Sequence, residues 1–152
     1  DLYGTVDGAV SCLDSLNHIT DPAVLGETLK KVSLFLEPDR LFIFDVNTEY
    51  KHRGILSGNT FVYDTDDVYC VWSNSECDTD GTVDIHLDFF KMTENGTYFR
   101  TEEDFSERAY GIELLKKCLN DADLDVLAVL GDMSERTAEP TDERIIFVTR
   151  KR

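Results

Sequence analysis

Basic residues are scarce: the 152-residue chain carries 15 Lys and Arg against 31 Asp and Glu, a formal net charge of -16. Nucleic-acid binding relies on clustered cations that neutralise phosphates, so this balance argues against a nucleic-acid partner. Cysteine is sparse as well. Cys12, Cys70, Cys77 and Cys118 form no C-x-x-C pair, the pattern of reduced intracellular thiols and not of a disulfide-stapled module. No apolar run approaches the roughly 20 residues that cross a bilayer, and no basic segment followed by an apolar stretch reads as a signal peptide. A cytoplasmic protein without a membrane partner is therefore expected. Also missing are internal repeats, low-complexity tracts, linkers and any G-x-G-x-x-G run. With 41% hydrophobic residues the chain is well supplied for one folded domain or domain fragment.

Val6 to Leu13 is a short apolar run of small residues without helical period, which predicts a buried strand. Asp21 then stands at an N-cap position with Pro22 at the first helical position. Val24, Leu25, Leu29, Val32 and Leu36 recur at helical spacing up to Glu37-Pro38-Asp39, and Leu41 to Phe44 form the next strand, running into Asp45, Val46, Asn47 and Thr48. Residues 1–48 thus read as a βαβ unit, whose strands lie parallel in one sheet. Ligands in open α/β sheets sit beyond the carboxyl ends of such strands, here Cys12 to Asn17 and Asp45 to Thr48.

A loop is predicted over Tyr50 to Asn59, with Gly54 and Gly58. Beyond it, residues 60–110 read as an antiparallel insertion. Asp80-Gly81 and Asn95-Gly96 are two-residue hairpin turns joining Val68 to Cys77, Thr82 to Thr93 and Thr97 to about Arg108. Residues 111–152 supply a helix from Gly111 to Asn120 and two final strands, Leu124 to Leu130 and Arg144 to Thr149.

His18, His52 and His86 lack the mutual spacing of a metal site, and Asp64 to Asp67 lacks the glycine and glutamate register of a calcium loop, so no metal is assigned. Cys12 at a strand end has no neighbouring base to activate it, and a core role is the better reading. No catalytic nucleophile or base is assigned.

Several segments taken in order carry a resemblance: VDGAVSCLDSLNHI, a helix, LFLEPDRLFIFDVNT, a β meander, and FSERAYGIELLKKCLNDADLDVL. This order resembles a class I S-adenosylmethionine-dependent methyltransferase, of the small-molecule type in which a β-rich insertion follows the fifth strand. The implied fold is α/β, a partial Rossmann-like sheet with an antiparallel β-meander insertion. In the family a Pro-Gly-Gly-type turn precedes the fifth strand; here it is Glu37-Pro38-Asp39-Arg40, with both glycines replaced.

The resemblance implies S-adenosylmethionine as cofactor of the complete protein and a small-molecule acceptor as partner. It puts Cys12, Leu13 and Asp14 beside the methionine part of the cofactor. Asp14 either accepts a hydrogen bond from the cofactor ammonium or caps the following turn. Asn17, His18, Asp45 and Asn47 fall near the acceptor, the last two with a turn role as the alternative. Tyr63, Trp72, Arg108 and Tyr110 belong to the meander and its exit, which lids or walls the acceptor pocket in similar enzymes. Core packing is the alternative for Trp72, and a surface ion pair for Arg108.

Family members also carry three strands and a Gly-rich cofactor loop ahead of the region matching Val6. The chain therefore reads as the C-terminal portion of such an enzyme, inactive without the remainder. Its first strand then becomes an exposed apolar edge, which predicts a homodimer. The competing reading is a non-catalytic, acidic protein-interaction module.

Overall fold

Two four-stranded sheets, joined by short helices, make up the chain in this computed structural model, which describes residues 3–132 and 134–152. The first sheet has the order β1-β2-β8-β7, from β1 (Val6–Ser11), β2 (Leu36–Asn47), β7 (Leu124–Gly131) and β8 (Arg144–Lys151). β1 and β2 are parallel, with α1 (Pro22–Phe35) between them, as the βαβ reading requires. The remaining pairs are antiparallel. The second sheet is the meander β3 (Thr60–Asp64), β4 (Val68–Asn74), β5 (Thr82–Met92) and β6 (Tyr98–Arg108). The mixed α/β class with a β insertion is thus the observed one.

α1 begins where Asp21 accepts a hydrogen bond from Ala23 N at 2.8 Å and Pro22 occupies the first turn. Its Leu25 and Leu29 meet Leu115 and Leu119 of α3 (Ile112–Asp121) over Phe42, Phe44, Val46, Ile145 and Phe147. Both helices therefore cover one face of the first sheet, and the alternate residues Ile43, Asp45 and Asn47 of β2 point to the other. The Glu37-Pro38-Asp39-Arg40 turn is a bulge within β2, where these four residues separate Leu36 and Leu41, the partners of Val6 and Gly8, and Asp39 has φ 62.

Three expectations need correction. The expected buried first strand lies at the sheet edge, with Val10 69% exposed, because no described residue pairs on its far side. The segment expected as a loop over Tyr50–Asn59 instead forms α2 (Glu49–Lys51) and a wide π-helical turn, His52–Leu56. Thr48 caps it by accepting from Lys51 N at 3.2 Å, and His52 is anchored across the chain to Gly81 O at 2.9 Å, so tertiary contacts override the two glycines. The meander also has an additional strand, β3, beside β4. No described helix is long and apolar enough to cross a membrane.

Candidate functional site

The carboxyl ends of β1 and β2 converge on a network of polar side chains. β1 leaves the sheet through Leu13 and Asp14, both left-handed at φ 59 and 52, and enters a 3-10 turn, Ser15–His18. Such backbone is unfavourable for residues with a Cβ and must be held from outside. Asn17, fully buried, holds it: Oδ1 accepts from Asn47 N at 2.9 Å, while Nδ2 donates to Asn47 O at 3.1 Å and to Arg108 O at 2.9 Å. One amide thus ties the turn to β2 and to the exit of β6, and it acts on the site by shaping it.

Arg144, at the start of β8, bridges the two acids of the site. Its Nη2 lies 3.0 Å from Asp14 Oδ2 and its Nη1 bonds Asp45 Oδ2, which also accepts from Asp14 N at 3.1 Å. The guanidinium fork suits such a double contact. Asn47 continues the network: Nδ2 donates to Asp14 and, at 3.2 Å, to Glu107 Oε2, and Oδ1 accepts from Lys51 Nζ at 2.9 Å. Glu107, 5% exposed, also faces two imidazoles, His18 Nε2 at 3.6 Å and His52 Nε2 at 3.7 Å. Burial pushes its carboxyl upward, but the His52 imidazole, the Asn47 amide and nearby His18 together hold it below its ordinary value.

Beside this network the open face of the first sheet forms an apolar cleft of about 390 Å³, lined by Val10, Leu13, Ile43 and Ile146 with Asp45 and Arg144 as its charged groups. Cys12 is exposed and borders the same cleft, so the core role expected for it does not hold: it follows the end of an edge strand with no described strand beyond it. The register of the second sheet places Tyr63, Trp72, Phe105 and Glu107 on one face, with Val83 and Ile85. Trp72 donates to Asn74 Oδ1 at 2.8 Å and packs against Phe61 and Tyr63, so its role here is largely to build that wall.

Arg108 points the other way. Its Nη1 reaches Thr20 O at 3.1 Å and Asp80 at 3.3 Å, its guanidinium lies 5.2 Å from the centre of the Tyr110 ring, and its buried Nε has no partner. Tyr110 donates to Ile19 O, and burial pushes its hydroxyl pKa up to about 12. Arg108 and Tyr110 therefore clamp the segment that follows the 3-10 turn.

Of the residues singled out in the sequence, Asp14, Asn17, His18, Asp45 and Asn47 meet in one network, Arg108 and Tyr110 adjoin it, and Tyr63 and Trp72 stand farther along the second sheet. Glu107, Arg144 and Lys51, none of them singled out in the sequence, join that network, and His52, weighed there only as a metal ligand, joins it too. Parity was the available signal for Glu107, which shares its face of the sheet with Phe105 and with their paired residues Val83 and Ile85. On the outer face, His86, Asp88 and Glu102 lie close enough to share a cation, but Arg100 already contacts Asp88 at 2.5 Å and Glu102 at 2.6 Å.

No family model matches the chain. It is 27% identical over 149 residues, 98% of its length, to a Geobacillus protein provisionally named a methyltransferase, and spans 60% of that relative. The crystal structure of an S-adenosylmethionine-dependent methyltransferase from Clostridium acetobutylicum superposes with a TM-score of 0.91 at 33% identity, covering 99% of this chain and 60% of that one. By sequence and fold, this chain resembles part of a class I S-adenosylmethionine-dependent methyltransferase. The methyltransferase CcbJ from Streptomyces caelestis shares the fold alone, with a TM-score of 0.81 at 15% identity over 99% of this chain and 59% of its own. Within this family of folds, the chain thus spans about three-fifths of the length of the relatives it matches.

Proposed function

We propose that this chain is the acceptor-facing, C-terminal part of an enzyme that transfers a methyl group from S-adenosylmethionine to a small molecule. The observation that carries the reading is the likeness over 99% of the chain to the Clostridium acetobutylicum enzyme. Neighbours of the same fold include an amino pentose methyltransferase with S-adenosylmethionine bound and a glycopeptide N-methyltransferase, which supports a small-molecule acceptor. The four free cysteines support a cytoplasmic setting.

The cleft at the β1 end fits part of the cofactor. Exposed Cys12 and Leu13 would line its methionine portion, while the Asp14 carboxylate, already engaged by Arg144 and Asn47, closes that end. When bound, the cofactor supplies an electrophilic methyl on a sulfonium. The protein's own contribution is alignment: Asn17 and Asn47 hold the strand ends, Asp45 and His18 offer acceptors to the substrate, Tyr63 and Trp72 wall the pocket, and Arg108 with Tyr110 fix its floor. Edge strand β1 pairs with a second copy to form a homodimer.

Calorimetric titration with S-adenosylhomocysteine tests the reading, using this chain and a version extended to its relatives' length. Binding is expected for the extended version and weak or absent for this chain. If neither binds, an acidic interaction module replaces the transferase.

A further inference from the structure

Glu107 occupies a position that the alignment role above leaves unused. Its Oε2 is held by Asn47 Nδ2 at 3.2 Å and faces His52 Nε2 at 3.7 Å. His52 is fully buried and its Nδ1 lies 2.9 Å from Gly81 O, a carbonyl that only accepts, so that nitrogen carries hydrogen. With one oxygen fixed in this way, Oε1 is turned to His18 Nε2, 3.6 Å away. His18 sits at the end of the 3-10 turn, half-exposed, with its ring tilted against Phe105 at 5.0 Å. It is thus a solvent-reachable imidazole backed by a buried carboxylate.

A carboxylate on one side of an imidazole selects the tautomer with hydrogen on that side and leaves the opposite nitrogen with its lone pair. We propose that Glu107 is a positioning residue that holds His18 with hydrogen on Nε2, so that Nδ1 takes the proton a nitrogen or oxygen acceptor loses as it is methylated. This rests on the transferase reading. With the cofactor bound, its sulfonium would supply the methyl and keep the electron pair of the broken carbon–sulfur bond, while the acceptor's lone pair would take the methyl and the acceptor's proton would pass to His18 Nδ1. The resulting imidazolium is balanced by Glu107. The present 3.6 Å separation is longer than a hydrogen bond; such contacts tighten when substrate fills the site.

The charged groups around this pair come from every packed element. His52 stands on the π-helical turn, and Asn47 links Glu107 to Lys51 and Asp14, with Arg144 and Asp45 behind Asp14. The nearest titratable groups to Glu107 are the two imidazoles, so replacing its charge acts first on them.

Long-range nitrogen–proton NMR of the ¹⁵N-labelled chain reads the tautomer of each imidazole directly. His18 is expected with hydrogen on Nε2, and in Glu107→Gln as a mixture of tautomers. A wild-type spectrum with hydrogen on His18 Nδ1 overturns the proposal, as does a Glu107→Gln spectrum in which the His18 tautomer is unchanged. The wild-type measurement decides even where the variant fails to fold. Diethyl pyrocarbonate is expected to acylate His18 at Nδ1 and to spare buried His52; acylation of His18 at Nε2 counts against the assignment. Failure of the extended chain to bind S-adenosylhomocysteine sinks the transferase reading separately, and the proton-transfer step with it, while the NMR result still decides the Glu107–His18 pairing.

Discussion

Asp14 and Asp45 stand side by side only because Arg144 bridges them. Their side chains are 19% and 8% exposed, so without the guanidinium two carboxylates would share a poorly solvated corner. Arg144→Ala is expected to destabilise the chain by about 3 kcal/mol, the scale on which removing one partner strands buried charge. Arg144→Lys keeps the charge but loses the fork, and should fall between the two. Urea unfolding measures both, and an Arg144→Ala midpoint equal to that of the parent would contradict the account. The two acids were visible in sequence because they end adjacent strands. Arg144 was not, because nothing in a lone arginine before an apolar run says which side of the sheet it will serve.

At the scale of elements, the β4–β5 connection shows how a turn motif acquires a second duty. Asp80-Gly81 predicts a turn, and Gly81 does take φ 90. Its carbonyl also accepts from Ala109 N at 3.1 Å and from His52, so the turn anchors both the exit of β6 and the π-helical turn. A Cβ at Gly81 would lie 2.6 Å from Ala109 O. Gly81→Ala should therefore cost about 1–3 kcal/mol through the left-handed conformation and that clash. It should also shift the His52 imidazole signals, whereas Gly96→Ala, at φ 72 but with open space around it, should leave them in place. Equal responses from the two glycines would remove the special role of Gly81. Periodicity located most strands and both long helices. The turn over His52–Leu56 was missed because its cause, a hydrogen bond to a residue 29 positions away, is not local.

Among the described residues, one face of the first sheet is left uncovered. Helices α1 and α3 bury one face, while Val10 and Leu41 on the other are 69% and 40% exposed and β1 forms an edge. Apolar edges of this kind associate, and a lysine on the edge strand is the usual deterrent. Sedimentation velocity should show the chain as a dimer and Val10→Lys shifted to monomer. A monomeric parent would dispose of the proposed homodimer.

The residue pattern by itself determined that the chain is an α/β fold with a parallel βαβ start, a hairpin-linked insertion and polar strand ends. Each follows from local period, a cap or a turn pair, which operate over a few residues. Tertiary structure alone decided that Asn17 reaches Arg108, that Arg144 closes on Asp14 and Asp45, and that Glu107 lies between two histidines. These partners are 55 to 130 residues apart in the chain, and only the register of the strands, the return of β8 to the first sheet and the end of β6 beside it bring them within reach.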